Sequence, residues 1–342
     1  RKYGVYQPVG DSVMPGGTSR ALRMIPPMVG IARDVLDLAP GALFFNYGNP
    51  MGPVCRAVRK ATGAEMVGLC HGVFGVASYL ANELGVDRKE MTWNAVGMNH
   101  LTWFTQVSAR GTDAMPRLRE IARKKLAKKG SRDNPFSWEL FLLFGAFPAV
   151  LDRHVIEFFP WLFPEGKYEG KTLGTSVMSV EKTLEWGDRI YAGMRRDASS
   201  RRPLPADYFE KISGEHEQVL DIIESIRNDT GEVYSANLPN KGVVPNCPKD
   251  AILEVPAEAT GSGLKALAQP PLPPGIAGTL ATRLMWVETV VEAALEGSRE
   301  KFVQALVLDG SVLSLGDAGK LADDLLAAHA EHLPQFGRTA SK

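Results

Sequence analysis

Two strand-sized apolar segments, residues 42–46 and 66–70, constrain the fold of this chain more than any other feature. Each is followed by a segment in which apolar residues recur at helical spacing. Strand, helix, strand and helix in this order are typical of a parallel sheet. Two further strands are predicted at residues 91–96 and 100–107, so the sequence predicts the α/β fold class.

Upstream of the first strand, apolar residues recur at helical spacing from residue 18 to residue 38. Pro26 and Pro27 lie in the middle of this segment, and proline removes a helical N–H and clashes with the preceding turn. We therefore expect the helix to be broken at these two residues.

Composition excludes several classes of function. The 342 residues suffice for two domains, and 39 basic against 39 acidic side chains argue against a nucleic-acid partner. No apolar run of about 18 residues occurs, so no membrane partner is expected. Three cysteines form no disulfide framework and suit a reducing compartment, which predicts a cytoplasmic location.

Polar residues that could carry chemistry follow the predicted strands, where ligands bind in open parallel sheets. Asn46 and Asn49 follow the first strand, Cys70 and His71 end the second, and His100 lies between the next two. Cysteine and histidine are ligands of divalent metals, although a lone cysteine also serves as a small buried apolar residue. These residues favour an α/β enzyme with a candidate metal site.

Two other patterns leave alternatives open. Asn49-Pro50 could place an amide against a nicotinamide ribose or a substrate hydroxyl, or form an ordinary turn. Asp152, His154 and Glu157 could form an acid/base group or a charged edge segment.

Taken together, the motifs resemble glycoside hydrolase family 4 in order and spacing over nearly the whole chain. The matching motifs are Pro15-Gly16-Gly17-Thr18, Asn46-Tyr47-Gly48-Asn49-Pro50, Cys70-His71-Gly72, Gly97-Met98-Asn99-His100, Asp152-Arg153-His154, Asn237-Leu238-Pro239-Asn240 and Leu253-Glu254-Val255-Pro256.

The resemblance implies a fold related to lactate and malate dehydrogenases. Residues 1–96 would be the remaining, C-terminal half of an NAD-binding Rossmann sheet, and residues 97–342 an α+β catalytic and substrate domain. It also implies NAD and a divalent metal, Mn²⁺, as cofactors. Cys70 and His100 would be the metal ligands and lie within a few ångströms of each other. Asn46 and Asn49 would contact the cofactor, and Asn49 and Asn99 the substrate.

The implied reaction on a small glycoside differs from the usual scheme with two carboxylates. NAD takes a hydride from sugar carbon 3, a base removes the acidified proton from carbon 2, and the aglycone leaves by elimination. Water then adds and the hydride returns. Asp152 is the favoured base, with His154 as the alternative or as a substrate contact, and His71 would protonate the departing oxygen.

The Cys70-His71-Gly72 motif resembles the subgroup that acts on α-glucuronides or α-galacturonides. A uronide carboxylate requires cationic or N–H donors. Arg20, Arg23 and Arg153 are candidates for this contact.

A Gly-rich dinucleotide fingerprint after a strand does not occur in these 342 residues. We therefore expect this chain to be inactive alone, with the first strand as an exposed apolar edge. Two alternatives remain: a lactate or malate-type dehydrogenase that needs no metal, and an inactive truncated remnant. The resemblance further implies a homo-oligomer, either a dimer or a tetramer.

Overall fold

A computed structural model of the chain describes residues 1–128, 133–163, 179–208 and 218–340. The strands are β1 Phe44–Asn46, β2 Met66–Gly68, β3 Met91–Met98, β4 Leu101–Ala109, β5 Thr112–Asp113, β6 Phe147–Pro148, β7 Val233–Pro239, β8 Ile252–Thr260 and β9 Gly263–Ala266. The α-helices are α1 Met14–Leu38, α2 Met51–Thr62, α3 Gly72–Leu84, α4 Met115–Ala127, α5 Pro135–Phe144, α6 Asp152–Val155, α7 Val180–Ser199, α8 Val219–Asn228, α9 Pro274–Glu296, α10 Arg299–Asp309 and α11 Leu315–Ala328.

All of these strands join one mixed sheet in the order β1-β2-β7-β8-β3-β4-β5, with β6 on β4 and β9 on β8. Strands β1 and β2 pair in parallel, and the other pairs are antiparallel. The predicted α/β class is confirmed. Strand β1 lies at the edge of the sheet, where it was expected.

The predicted break at Pro26 and Pro27 is wrong, because α1 runs through both prolines. Pro26 has no N–H to donate to the carbonyl of Leu22, four residues earlier. The Gln335 side chain donates to that carbonyl instead, at 3.0 Å. A partner 313 residues away in the sequence therefore satisfies the acceptor that proline leaves unpaired.

The boundary predicted at residue 96 falls inside β3, and the sheet continues across it. The division into two domains stays a prediction. In the described part of the chain, we find no helix with the length and apolar character needed to cross a membrane.

A buried ion pair joins α9 to α10 beneath the start of α1. Arg283 Nη1 lies 2.8 Å from Asp309 Oδ2, and the two side chains are 2% and 0% exposed. The same carboxylate oxygen accepts the N–H of Met14, and Arg283 Nη2 donates to the carbonyl of Phe158. This pair therefore ties three distant segments together.

We expect Asp309→Asn to lower the free energy of unfolding by about 3–5 kcal/mol, because Arg283 would keep a buried charge without its counter-ion. The matched control is Asp323→Asn in the exposed pair between Arg299 and Asp323, where the loss should stay below about 1 kcal/mol. Urea denaturation measures both. Equal losses would contradict the role assigned to burial.

A second buried carboxyl predicts a pH dependence of stability. Burial raises the pKa of Glu254 to about 7, against the effect of its hydrogen bond from Thr102. Between about pH 5 and 7 the folded chain keeps a proton that the unfolded chain releases, so stability falls as pH rises.

Glu254→Gln removes this contribution. As pH rises from about 5 to 7, the melting temperature of the variant should therefore rise relative to that of the wild type. Glu258→Gln, on the same strand but partly exposed, is the control and should follow the wild type. The prediction fails if the two variants respond to pH in the same way.

Candidate active site

The loop before α1 brings a carboxylate and a hydroxyl to the ends of β1 and β3. Asp11 Oδ2 accepts a hydrogen bond from Asn49 Nδ2 at 3.0 Å. Ser12 Oγ donates to Asp11 Oδ1 at 2.9 Å and lies 2.8 Å from Nδ1 of His100. A hydrogen-bonded chain therefore runs from Asn49 through Asp11 and Ser12 to His100.

His100 occupies the two-residue turn between β3 and β4, and its backbone has a φ of 63°. This left-handed conformation is uncommon outside glycine and often marks a functional position. The imidazole is buried among the surrounding polar groups. The turn therefore holds Nδ1 of the ring toward Ser12.

The contacts of Ser12 determine the tautomer of this ring. A serine hydroxyl has one proton, and an ionised carboxylate can only accept. Ser12 gives its proton to Asp11, so His100 must donate from Nδ1 to complete the second contact. Nε2 of His100 then carries a lone pair, as a metal ligand requires.

His154, from α6, completes a group of three side chains. Its ring centroid lies 4.8 Å from that of His100. One ligand atom each from Asp11, His100 and His154 lie within 4.8 Å of one another. One carboxylate and two imidazoles form a donor set that fits Mn²⁺, Fe²⁺ or Zn²⁺, so these residues could hold a divalent cation.

The electrostatics of the group favour the protonation states that bind metal. Burial alone would raise the pKa of Asp11, but His100, His154 and the hydrogen bonds from Ser12 and Asn49 lower it. Burial and the neighbouring His154 lower the pKa of His100 to about 4. At neutral pH the site therefore offers a carboxylate and a neutral imidazole.

A second group of buried polar side chains lies where β7, β8 and β3 pair. Glu254 is opposite Asn237 on one side and Gly97 on the other. Within the described residues, Glu254 Oε1, Asn237 Oδ1 and both amide atoms of Asn99 make no hydrogen bond of normal geometry. Buried polar atoms usually have a partner, so this arrangement favours a bound polar ligand.

Cys70, predicted as a metal ligand, adjoins this second group. Its thiol accepts the N–H of Gly72 at 3.3 Å. Burial and then the charge of Glu254 raise its pKa to about 12, while Asn99 acts in the opposite direction. The three-residue group contains His100 but not Cys70. The pairing of Cys70 with His100 therefore stays a prediction.

The two asparagines predicted at the cofactor site differ in their contacts. Asn49 keeps a buried Oδ1 with no partner among the described residues, so it can accept from a ligand. Asn46 donates to the carbonyl of Gly48 and accepts the Gly48 N–H, and it also contacts Met51 Sδ. The Asn46 side chain thus shapes the turn after β1.

Asp152, the favoured base, contacts the start of α5. Its carboxylate accepts the N–H groups of Phe136 and Ser137 and the Ser137 hydroxyl, at 3.1, 2.7 and 2.7 Å. Both oxygens therefore accept hydrogen bonds from the first turn of α5, where backbone N–H groups have no partner within the helix. Burial raises its pKa against the effect of these bonds.

The remaining predicted residues differ in their contacts and exposure. His71 immediately precedes α3, and its ring stacks on Tyr47 with centroids 6.3 Å apart. Arg20 is partly buried on α1, Arg23 lies 3.3 Å from His329, and Arg153 is exposed. These roles stay predictions.

Sequence reasoning missed Asp11 and Ser12, and it gave Glu254 no role. Asp11 and Ser12 lie in a loop without periodicity, and their partner His100 is 88 residues away from Ser12. The one available signal was Glu254, a charged residue between the apolar residues Leu253 and Val255 of β8.

Comparison with known proteins places the chain in a family. A model of the family 4 glycosyl hydrolases matches residues 1–86, and one of the family 4 glycosyl hydrolase C-terminal domain matches residues 95–312. An α-galacturonidase of Bacillus subtilis is 33% identical over 94% of this chain and 75% of its own length.

Two solved structures show the same fold. The lplD protein of Bacillus subtilis has a TM-score of 0.83 at 30% identity, covering 95% of this chain and 78% of its own. A 6-phospho-α-glucosidase from gut microorganisms, solved with NAD and Mn²⁺, has a TM-score of 0.80 at 21% identity, covering 94% and 74%. The family matches decide against the dehydrogenase alternative. This chain belongs to the family 4 glycosyl hydrolases.

Proposed function

We propose that the protein hydrolyses α-uronides by oxidation and elimination, with NAD and Mn²⁺ as cofactors. The observation that carries this proposal is the convergence of Asp11, His100 and His154 at the ends of the strands. Two comparisons support it: a 6-phospho-α-glucosidase of this fold is solved with NAD and Mn²⁺, and a relative is an α-galacturonidase.

Of these three residues, Asp11 and His100 are the proposed metal ligands, together with Cys70 as the sequence predicts, and His154 is assigned to the substrate. Ser12 orients both of the first two, since its hydroxyl lies between the Asp11 carboxylate and His100 Nδ1. Cys70 would lose its proton when it binds the cation. When bound, NAD would supply a hydride acceptor for oxidation of the sugar, and the cation would supply Lewis-acid polarisation of the sugar oxygens.

Asn49 is the proposed contact to the nicotinamide ribose or to a sugar hydroxyl. Its Nδ2 is held by Asp11 at 3.0 Å, while its buried Oδ1 has no partner among the described residues. An acceptor in this state binds a hydroxyl or amide donor at little further cost of desolvation. The Asn46 side chain stabilises the same turn through its hydrogen bonds with Gly48, so its proposed effect on the cofactor is indirect.

His154 is the proposed base for the proton on carbon 2. It lies beside His100 and is only partly buried, so it can face a substrate held at the cation. The oxygens of Asp152 accept hydrogen bonds from the N-terminus of α5, so we assign Asp152 a structural role. His71 remains the proposed acid for the departing oxygen.

The proposed contact for the uronide carboxylate is the pair Arg20 and Arg23 on α1, with Arg153 as a further candidate. Arg20 and Arg23 lie three residues apart on α1, and burial and the charge of Arg20 lower the pKa of Arg23. Two neighbouring cations favour a carboxylate over a neutral hydroxymethyl group.

Three variants separate the proposed roles. His100→Ala should weaken Mn²⁺ binding by more than about tenfold, because it removes a ligand. His154→Ala should leave the Mn²⁺ affinity within about twofold and lower kcat by about 10²–10⁴. Asp152→Asn should lower the melting temperature, because an amide NH₂ cannot accept the Phe136 N–H as Oδ2 does, and retain most of kcat.

Calorimetric titration with Mn²⁺ and steady-state kinetics of the complete enzyme measure these effects. If His154→Ala loses Mn²⁺ affinity as His100→Ala does, His154 is a ligand and the base is another residue. If Asp152→Asn keeps its stability but loses kcat, the original assignment of Asp152 as the base is correct.

The substrate proposal is tested with aryl glycosides. We expect the complete enzyme to hydrolyse an aryl α-galacturonide or α-glucuronide only when NAD, Mn²⁺ and a reductant are all present. Arg20→Met should raise KM for the uronide and leave KM for the neutral hexoside unchanged. Equal rates on the hexoside, or preference for a 6-phosphosugar, would refute it. The inactivity predicted for residues 1–342 alone can be measured in the same assay.

A further inference from the structure

We propose that Glu157 is a positioning residue that holds the loop of residues 9–12 so that Asp11 and Ser12 meet His100. This inference rests on the proposed metal site for its functional consequence. Its structural content, the orientation of His100, does not depend on a bound metal.

The Glu157 side chain lies beneath that loop and is 1% exposed. Its Oε1 accepts the backbone N–H of Val9 at 2.8 Å and that of Gly10 at 2.9 Å. Burial of a carboxyl is costly unless hydrogen bonds compensate, and a buried N–H left without an acceptor is costly as well. The contact therefore fixes the two residues that immediately precede Asp11.

The other end of the loop is fixed independently. Asp309 accepts the N–H of Met14 at 2.8 Å. A Cβ atom at Gly17 would overlap the backbone carbonyl carbon of Ser12, so α1 packs directly against the loop. Asp11 and Ser12 thus lie between two anchored points, and Glu157 supplies the anchor on the upstream side.

The consequence reaches His100 through a single hydrogen bond. Ser12 Oγ is the acceptor for Nδ1–H of His100, and this contact keeps the lone pair on Nε2. If the loop moves by about 1 Å, the hydroxyl leaves the range of a good hydrogen bond, and neither tautomer of His100 is then enforced. Partners that orient metal-binding histidines in this way typically contribute 10–100-fold to metal affinity.

Glu157→Gln and Glu157→Ala form the matched pair for the test. Burial raises the pKa of Glu157 to about 8, so Oε1 accepts as part of a neutral carboxyl near pH 7, and an amide oxygen can replace it. We expect Glu157→Gln to bind Mn²⁺ within about twofold of wild type. Glu157→Ala should bind at least about tenfold more weakly.

Tyr79→Phe controls for a general loss of stability. It removes hydrogen bonds to Asp133 and from Trp138 in a network that does not touch the loop. This variant should melt at a lower temperature but keep the wild-type affinity for Mn²⁺. If it loses affinity to the same extent as Glu157→Ala, the effect is general destabilisation and the proposal is wrong.

A metal-free measurement decides the structural claim separately. With ¹⁵N-labelled histidine, NMR should show His100 protonated at Nδ1 in wild type and in Glu157→Gln, and mixed tautomers in Glu157→Ala. An unchanged His100 spectrum in Glu157→Ala would overturn the proposal. If the wild type binds no Mn²⁺, the proposed metal site is wrong. The histidine spectra alone then test whether Glu157 positions the loop.

Discussion

The candidate active site depends on the hydrogen bonds that Ser12 makes with Asp11 and with His100. One hydroxyl proton sets the direction of both bonds, and this direction determines which nitrogen of His100 is available to a ligand. The two residues come from a loop and from a hairpin turn that are far apart in the chain. The sheet order and the packing of α1 bring them together.

Such a site requires many buried polar groups, and the fold satisfies most of them from distant segments. Glu157 accepts from the loop before α1, and Asp309 accepts from its first residue and pairs with Arg283. Each of these contacts compensates a carboxyl that would otherwise be costly to bury. The atoms of Asn49, Asn99 and Glu254 that have no partner among the described residues lie near the strand ends, where a ligand would supply the missing hydrogen bonds.

The sequence predicted what depends on local pattern. The apolar segments located β1 and β2, and the rule that ligands bind at strand ends selected Asn49 and His100. It failed where the deciding contact is distant: Gln335 satisfies the carbonyl freed by Pro26, so α1 continues. Likewise, the sequence could not show that Asp152 would cap α5, because an acid beside a histidine is equally typical of a catalytic pair.

The contacts of three carboxyl groups bear on the proposed elimination mechanism. A hydrolase with two catalytic carboxylates needs one as an acid and one as a base or nucleophile, facing each other across the bond. Here Asp11 is held by Ser12 and Asn49, Asp152 caps α5, and Glu157 anchors a loop. Each of these three acids is committed to hydrogen bonds within the protein. Among these groups, we therefore assign proton transfer in the proposed reaction to the histidines, and Asp11 contacts His100 through Ser12.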